Sequence, residues 1–92
     1  MEMREIGKSG IRANALALGC WAIGGGEWWG TNDDEMSVKT ILRGLDLGIH
    51  WIDTARVYGF GHSEEVIGQA LKQTDRSRVI LSTKCGLQWY DP

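Results

Sequence analysis

The chain has 92 residues, 42% of them apolar and 24% charged, with a net charge of -2 at pH 7. That length suits one small domain with a modest core, and so small a charge leaves no basic footprint for nucleic acid or anionic lipid. No apolar run approaches the ~20 residues that cross a bilayer, and the start, Met1-Glu2-Met3-Arg4-Glu5, lacks the apolar stretch of a secretory signal.

Taken in order, Met3–Ile6 and Ile11–Ala13 flank the turn Gly7-Lys8-Ser9-Gly10 and predict a short hairpin. Ala15–Leu18 is an apolar run ending at Gly19, the pattern of a short buried strand. A glycine-rich loop follows, Gly24-Gly25-Gly26-Glu27-Trp28-Trp29-Gly30. Asn32 or Asp33 then caps a helix whose first turn carries Asp34 and Glu35 at the positive end of the dipole. Val38, Ile41, Leu42, Leu45 and Ile49 form one stripe of that helix, and Gly48 supplies its stop. His50-Trp51-Ile52-Asp53 reads as a strand. Ser63 is a suitable cap for a second helix with Glu64 and Glu65 in its first turn and Val66, Ile67, Ala70 and Leu71 on its apolar face. Val79–Thr83 is a β-branched run and a further strand, and residues 86–92 read as loop. The order, hairpin then βαβαβ, predicts an α/β fold with parallel strands and right-handed crossovers. There is no linker, no repeat and no low-complexity tract, so residues 1–92 belong to one domain.

Chemistry-bearing residues gather at the predicted strand ends. Asp53 closes the second βαβ strand, Tyr58 lies in the loop after it, and Lys84 closes the third. In parallel β/α architectures functional groups collect at the C-terminal ends of strands. Side-chain alternation puts Trp51 on the face of Asp53, and Ser82 and Ile80 on the face of Lys84, with Ile52 turned toward the helices. An acid, a phenol and an ammonium then meet at one mouth. An unperturbed phenol, with a pKa of about 10, is a poor proton donor at neutral pH, and a neighbouring ammonium stabilises its phenolate. A carboxylate behind the ammonium holds it in place. Such a trio suits carbonyl reduction, in which hydride arrives at carbon while the phenol protonates oxygen. Each of these residues taken alone is more often a solvated or capping side chain.

The run from Gly48 to Gly68, with Asp53-Thr54-Ala55-Arg56-Val57-Tyr58-Gly59 at its centre, closely resembles the aldo-keto reductase signature. Ser82-Thr83-Lys84 resembles the lysine motif of that family's third strand. Gly19-Cys20-Trp21, followed by Gly24-Gly25-Gly26, looks like its first strand and loop. The connection from Tyr58 to Glu64 is similar to that of the bacterial and potassium-channel-β branch. The resemblance implies the N-terminal hairpin and βαβαβ portion of a (β/α)₈ barrel, and an NADPH-dependent reductase of aldehydes and ketones. It also implies that Asp53, Tyr58 and Lys84 are three of four catalytic residues. The fourth, a histidine or asparagine, and the sites for the cofactor's adenine and 2′-phosphate would lie beyond Pro92. Gly19, Cys20, Trp21 and Asp53 would border the nicotinamide, Cys20 standing where the family often has threonine.

Trp21, Trp28, Trp29, Tyr58 and Trp89 are candidates to line an apolar carbonyl pocket. The plainer reading of the tryptophans is loop anchoring. His62 reads as a loop-packing residue and His50 as structural, facing the helix layer. Cys85 should point away from Lys84 into the core, and both cysteines read as free thiols of a reducing cytoplasm. Gly59-Phe60-Gly61-His62-Ser63-Glu64 is a partial dinucleotide fingerprint, weakened by Glu64 where a third glycine belongs. A closed barrel needs about 250 residues, so 92 supply an incomplete one with open strand edges. The alternatives are therefore a non-catalytic barrel module that self-associates through those edges, and a Rossmann-like nucleotide-binding fragment.

Overall fold

The computed structural model describes residues 1–26 and 29–89. Strands β1 (Met3–Glu5) and β2 (Arg12–Asn14) pair antiparallel, with Met3 opposite Asn14. The body is β3 (Leu18–Gly19), α1 (Asp34–Asp46), β4 (Trp51–Asp53), α2 (His62–Leu71) and β5 (Ile80–Ser82). The three later strands form one parallel sheet in the order β3-β4-β5, with Gly19 opposite Asp53 and Asp53 opposite Ser82. The expected hairpin plus βαβαβ unit is therefore present.

Local chemistry accounts for most element ends. Asp33 accepts a hydrogen bond from the Met36 N–H and caps α1, with Asp34 and Glu35 in the first turn. The helix stops at Gly48 in the left-handed region (φ 97°), where Gly48 N–H donates to the Leu45 carbonyl and Ile49 N–H to that of Gly44. These two bonds satisfy carbonyls that the helix leaves open. Val38, Ile41 and Leu45 of α1 and Val66, Ile67 and Ala70 of α2 are buried together with Ile52 of β4. Each large side chain so buried contributes on the order of 2 kcal/mol. Ile52 thus faces the helices, as alternation requires, while Trp51 and Asp53 lie half-buried on the opposite face.

Four sequence expectations are corrected. The run Ala15–Leu18 is not a strand, because Ala15, Leu16 and Ala17 are exposed and only Leu18–Gly19 pairs. These residues lead the chain off the hairpin, where Ala15 N–H donates to the Glu2 carbonyl. Ser63 does not cap α2; Gly61 (φ 103°) precedes the helix, and Ser63 lies fully buried in its first turn. His50 does not sit under the helices. Its Nδ1–H donates to the Arg78 carbonyl at 2.8 Å, at the end of β4 remote from Asp53, beside the hairpin residues Met3 and Asn14. Cys85 is exposed, because β5 ends at Ser82 and strand alternation no longer governs the chain three residues later. Among the described residues no helix is long and apolar enough to cross a membrane, and no three side chains are grouped to hold a metal.

Candidate active site

The parallel register brings three strand ends level. Lys84 follows β5, and its Nζ donates to Asp53 Oδ2 at 2.8 Å, to the Thr54 carbonyl at 2.9 Å and to the Tyr58 hydroxyl oxygen at 3.5 Å. The three residues expected at one mouth do meet there. An ammonium has three N–H donors, and here each has an acceptor. The Tyr58 oxygen is thereby an acceptor from Lys84, and its own O–H has no acceptor among the described residues.

The placement of Tyr58 depends on two glycines. Gly59 adopts φ 61°, and a Cβ there would run into the backbone of Gly24. A Cβ on Gly24 would lie 2.8 Å from the Tyr58 carbonyl carbon and from the Gly59 nitrogen. The loop after β3 and the loop after β4 therefore touch backbone to backbone. Asn32 holds the first of these loops, its two Nδ2 N–H groups shared among the carbonyls of Ala22 and Ile23 and Ser37 Oγ. Beneath them Ser63 Oγ donates to the Cys20 carbonyl at 2.8 Å and lies 2.8 Å from Thr54 Oγ1. Since the Ser63 proton goes to a carbonyl, Thr54 supplies the proton of the second bond. Phe60, the one non-glycine residue with positive φ (53°) among those described, follows Gly59 and is half-exposed. Strain of that kind persists only where its surroundings enforce it.

The charges support one another. Burial pushes the Asp53 carboxyl up, but hydrogen bonds from Lys84 and Ser82 and the Lys84 charge outweigh it and hold the group below its usual 3.8. Lys84 is raised above 10.5, chiefly by its bond to Asp53. Both remain ionised at neutral pH. Cys20 lies in the core, 0% exposed, and burial, aided by the Asp53 charge, pushes its thiol up to about 11. Its N–H donates to the Asp53 carbonyl and its thiol to that of Leu18. The Cys20 side chain is thus turned away from the mouth, where a cofactor contact was expected; Gly19 beside it is exposed, with open space over its Cα.

A recess of about 350 Å³ opens next to Tyr58, lined by Trp21, Val57, Phe60 and Leu87 with the backbone of Gly25 and Gly26. The Trp21 ring stacks on Tyr58 with centroids 5.8 Å apart and meets the Trp29 ring edge-on at 5.4 Å. Trp89 packs against Phe60 at 5.4 Å, and the Arg56 guanidinium lies 4.6 Å from its ring centre. Trp21 and Tyr58 thus border the recess, Trp29 and Trp89 do not line it but pack on its wall residues Trp21 and Phe60, and Trp28 lies outside the described residues. His62 is engaged elsewhere: its Nε2–H donates to Asp34 at 2.8 Å, tying the start of α2 to the start of α1.

Residues 15–92 match the aldo/keto reductase family. The chain belongs to it. This aldo-keto reductase chain is 51% identical over 90 residues to the aldo-keto reductase YhdN of Bacillus subtilis, covering 97% of the chain and 27% of that protein. It is 44% identical over 90 residues to the NADH-specific methylglyoxal reductase of Escherichia coli, with 97% and 28% covered. Among solved structures, the glycerol dehydrogenase AKR11B4 of Gluconobacter oxydans superposes with a TM-score of 0.83 at 46% identity, over 98% of the chain and 27% of that protein. The chain therefore spans about a quarter of the length of these relatives and corresponds to the N-terminal part of their barrels. The family match also sets aside the Rossmann-like alternative: residues 59–64 carry the loop of Tyr58 into α2.

Two residues of the mouth had no assigned role in the sequence. Ser82 Oγ donates to Asp53 Oδ1 at 2.6 Å, and Trp51 Nε1 donates to Ser82 Oγ at 2.9 Å. Alternation places both on the right face, but only the β4–β5 register shows that they meet.

Proposed function

We propose that these residues form the proton-donating part of an oxidoreductase that reduces aldehydes and ketones with NADPH. The observation that carries this reading is the ordering of protons at the mouth. Lys84 spends its three N–H groups on Asp53, Thr54 and Tyr58, so the phenol oxygen accepts and its own proton is free to be donated. A bound nicotinamide would supply hydride to the carbonyl carbon. Tyr58 gives its proton to the carbonyl oxygen, and the phenolate left behind lies against the Lys84 ammonium, which Asp53 holds in place. The apolar walls of Trp21, Val57, Phe60 and Leu87 admit the carbon substituent of the carbonyl. The cofactor's reacting end fits the residues present, since Gly19 leaves open space beside Asp53 and Trp21 offers an exposed ring face. Cys20 would border it through the backbone alone. The cofactor's adenine and phosphates, and a fourth catalytic histidine or asparagine, would be met by later strands of a complete barrel.

The test is made in a closed barrel carrying this sequence, completed with the remaining strands of the Bacillus subtilis relative. Tyr58→Phe should abolish most carbonyl reduction and leave cofactor binding nearly intact, because the phenol acts in the transition state. Lys84→Met should cripple turnover as well. Steady-state kinetics with NADPH and with NADH, beside fluorescence titration of each, separate chemistry from binding and decide the cofactor preference. Turnover at the wild-type rate in Tyr58→Phe would show that another group is the acid. The 92 residues alone should show no appreciable turnover. With the outer edges of β3 and β5 unpaired and Trp51 and Ile80 only half-buried, they should self-associate as concentration rises.

A further inference from the structure

We propose that Ser82, held by Trp51, is a positioning residue that fixes the Asp53 carboxylate so that its second oxygen faces Lys84. The inference rests on the reading of Tyr58, Lys84 and Asp53 as the reducing machinery. Its basis is a hydrogen-bonded chain whose direction the chemistry leaves no freedom to reverse. The indole of Trp51 can only donate, and it donates to Ser82 Oγ at 2.9 Å. An ionised carboxylate can only accept, so the single proton of Ser82 goes to Asp53 Oδ1, at 2.6 Å. Asp53 Oδ2 accepts from Lys84 at 2.8 Å. Indole, hydroxyl, carboxylate, ammonium and phenol thus form one ordered series across β4 and β5.

The series matters because its charged link is poorly confined by itself. The Asp53 and Lys84 side chains are 34% and 51% exposed, and an ion pair that open holds its geometry weakly. Free of Ser82, the carboxylate could turn its plane, take Lys84 on both oxygens or swing toward solvent, and carry the ammonium away from Tyr58. Ser82 occupies one oxygen and so fixes the plane. Trp51 in turn leaves Ser82 one useful rotamer, since any other would strand the half-buried indole N–H. The short strands supply the alignment, pairing Asp53 directly with Ser82. The groups that act on Asp53 are Lys84 and Ser82, from β5 and the segment after it; the buried Cys20 thiol feels the Asp53 charge and stays protonated. Among the described residues no carboxylate or ammonium besides Lys84 contributes there, so a difference in the acid limb between Ser82→Ala and the parent barrel reports on this arrangement.

The experiment uses the same completed barrel, with Ser82→Ala, Ser82→Thr, Trp51→Phe and Tyr58→Phe measured side by side. Ser82→Ala should lower kcat about ten-fold, the effect of losing a hydrogen bond to a charged group. It should leave KM for the carbonyl within about two-fold, since Ser82 is placed to act through Asp53. The acid limb of kcat should move to higher pH, because the carboxylate loses a donor that favours its charged form. Ser82→Thr keeps the hydroxyl and should restore most of the rate. Trp51→Phe, which keeps an aromatic ring but removes the N–H, should give a smaller loss of about three-fold in kcat. Wild-type kcat and an unmoved acid limb in Ser82→Ala would overturn the proposal. An equal loss in Ser82→Thr would overturn it too, since shape rather than the hydroxyl would then be responsible. If Ser82→Ala fails to fold, Trp51→Phe decides, and an unchanged kcat there refutes the positioning role. An active Tyr58→Phe would instead refute the acid assignment, which separates the two failures.

Discussion

Replacing Gly24 by alanine tests whether Tyr58 is held in place by the contact between two loops. Gly24 ends a helical turn at Ala22–Gly24, so an alanine there suits the local backbone, and the cost must come from space. Its Cβ would sit 2.8 Å from two backbone atoms of Tyr58 and Gly59, about 0.6 Å inside the 3.4 Å at which ordinary contact begins. Backbone cannot rotate aside as a side chain does, so the Tyr58 loop must move outward by that order. The Lys84–Tyr58 separation of 3.5 Å is already at the limit of a hydrogen bond and would pass beyond it. Overpacking of this kind costs about 1–3 kcal/mol in stability, and a shift of this size costs turnover roughly ten-fold or more. Gly68→Ala is the matched control. It lies in α2 with nothing within 4 Å of its added Cβ, and should stabilise by about 0.5–1 kcal/mol. Urea unfolding followed by tryptophan fluorescence, with kcat for carbonyl reduction in the completed barrel, reads both. A Gly24→Ala protein as stable as Gly68→Ala and with unreduced kcat would refute the argument that this contact sets the phenol.

The remaining expectations concern the two cysteines, the histidine pair and the loop anchor. In the folded protein a thiol reagent at pH 8 should modify exposed Cys85 quickly and leave Cys20 unmodified until unfolding, since Cys20 is buried and its thiol is pushed up to about 11; mass spectrometry of the labelled peptides checks this. His62 is raised above 6.5, first by its bond to Asp34, so its contribution is complete below pH 6.5 and is lost as pH rises through the raised value. His62→Gln should remove that slope from unfolding free energies measured from pH 5 to 9, with a loss of about 1 kcal/mol or less at the acid end because the pair is partly exposed. Asn32→Ala removes both amide N–H donors that tie down the loop after β3 and should cost about 1–2 kcal/mol in urea unfolding; an unchanged midpoint would show that the loop does not depend on this side chain.

The amino-acid sequence by itself determined the element order and most of the core. The stripes of Val38, Ile41 and Leu45 and of Val66, Ile67 and Ala70 are local signals, because a helix can bury one face only if apolar residues recur every three or four positions. Alternation across Trp51-Ile52-Asp53 likewise settled which side chain meets the helices, and the signature around Asp53 and Tyr58, with the lysine after β5, pointed to three side chains that do meet. What failed was read from rules that stop at an element's end. Cys85 was assigned by alternation three residues past the last paired one, and Ser63 by the cap preference of its residue type. Ser63 is instead drawn inward because the Cys20 carbonyl and Thr54 hydroxyl, 43 and nine positions away in the chain, need a partner where water does not reach. Tertiary structure alone decided the rest: the register that sets Ser82 against Asp53, the backbone contact of Gly24 with Gly59, and the pairing of His62 with Asp34. Each joins residues distant in sequence, and no pattern along the chain encodes a distance between two strands.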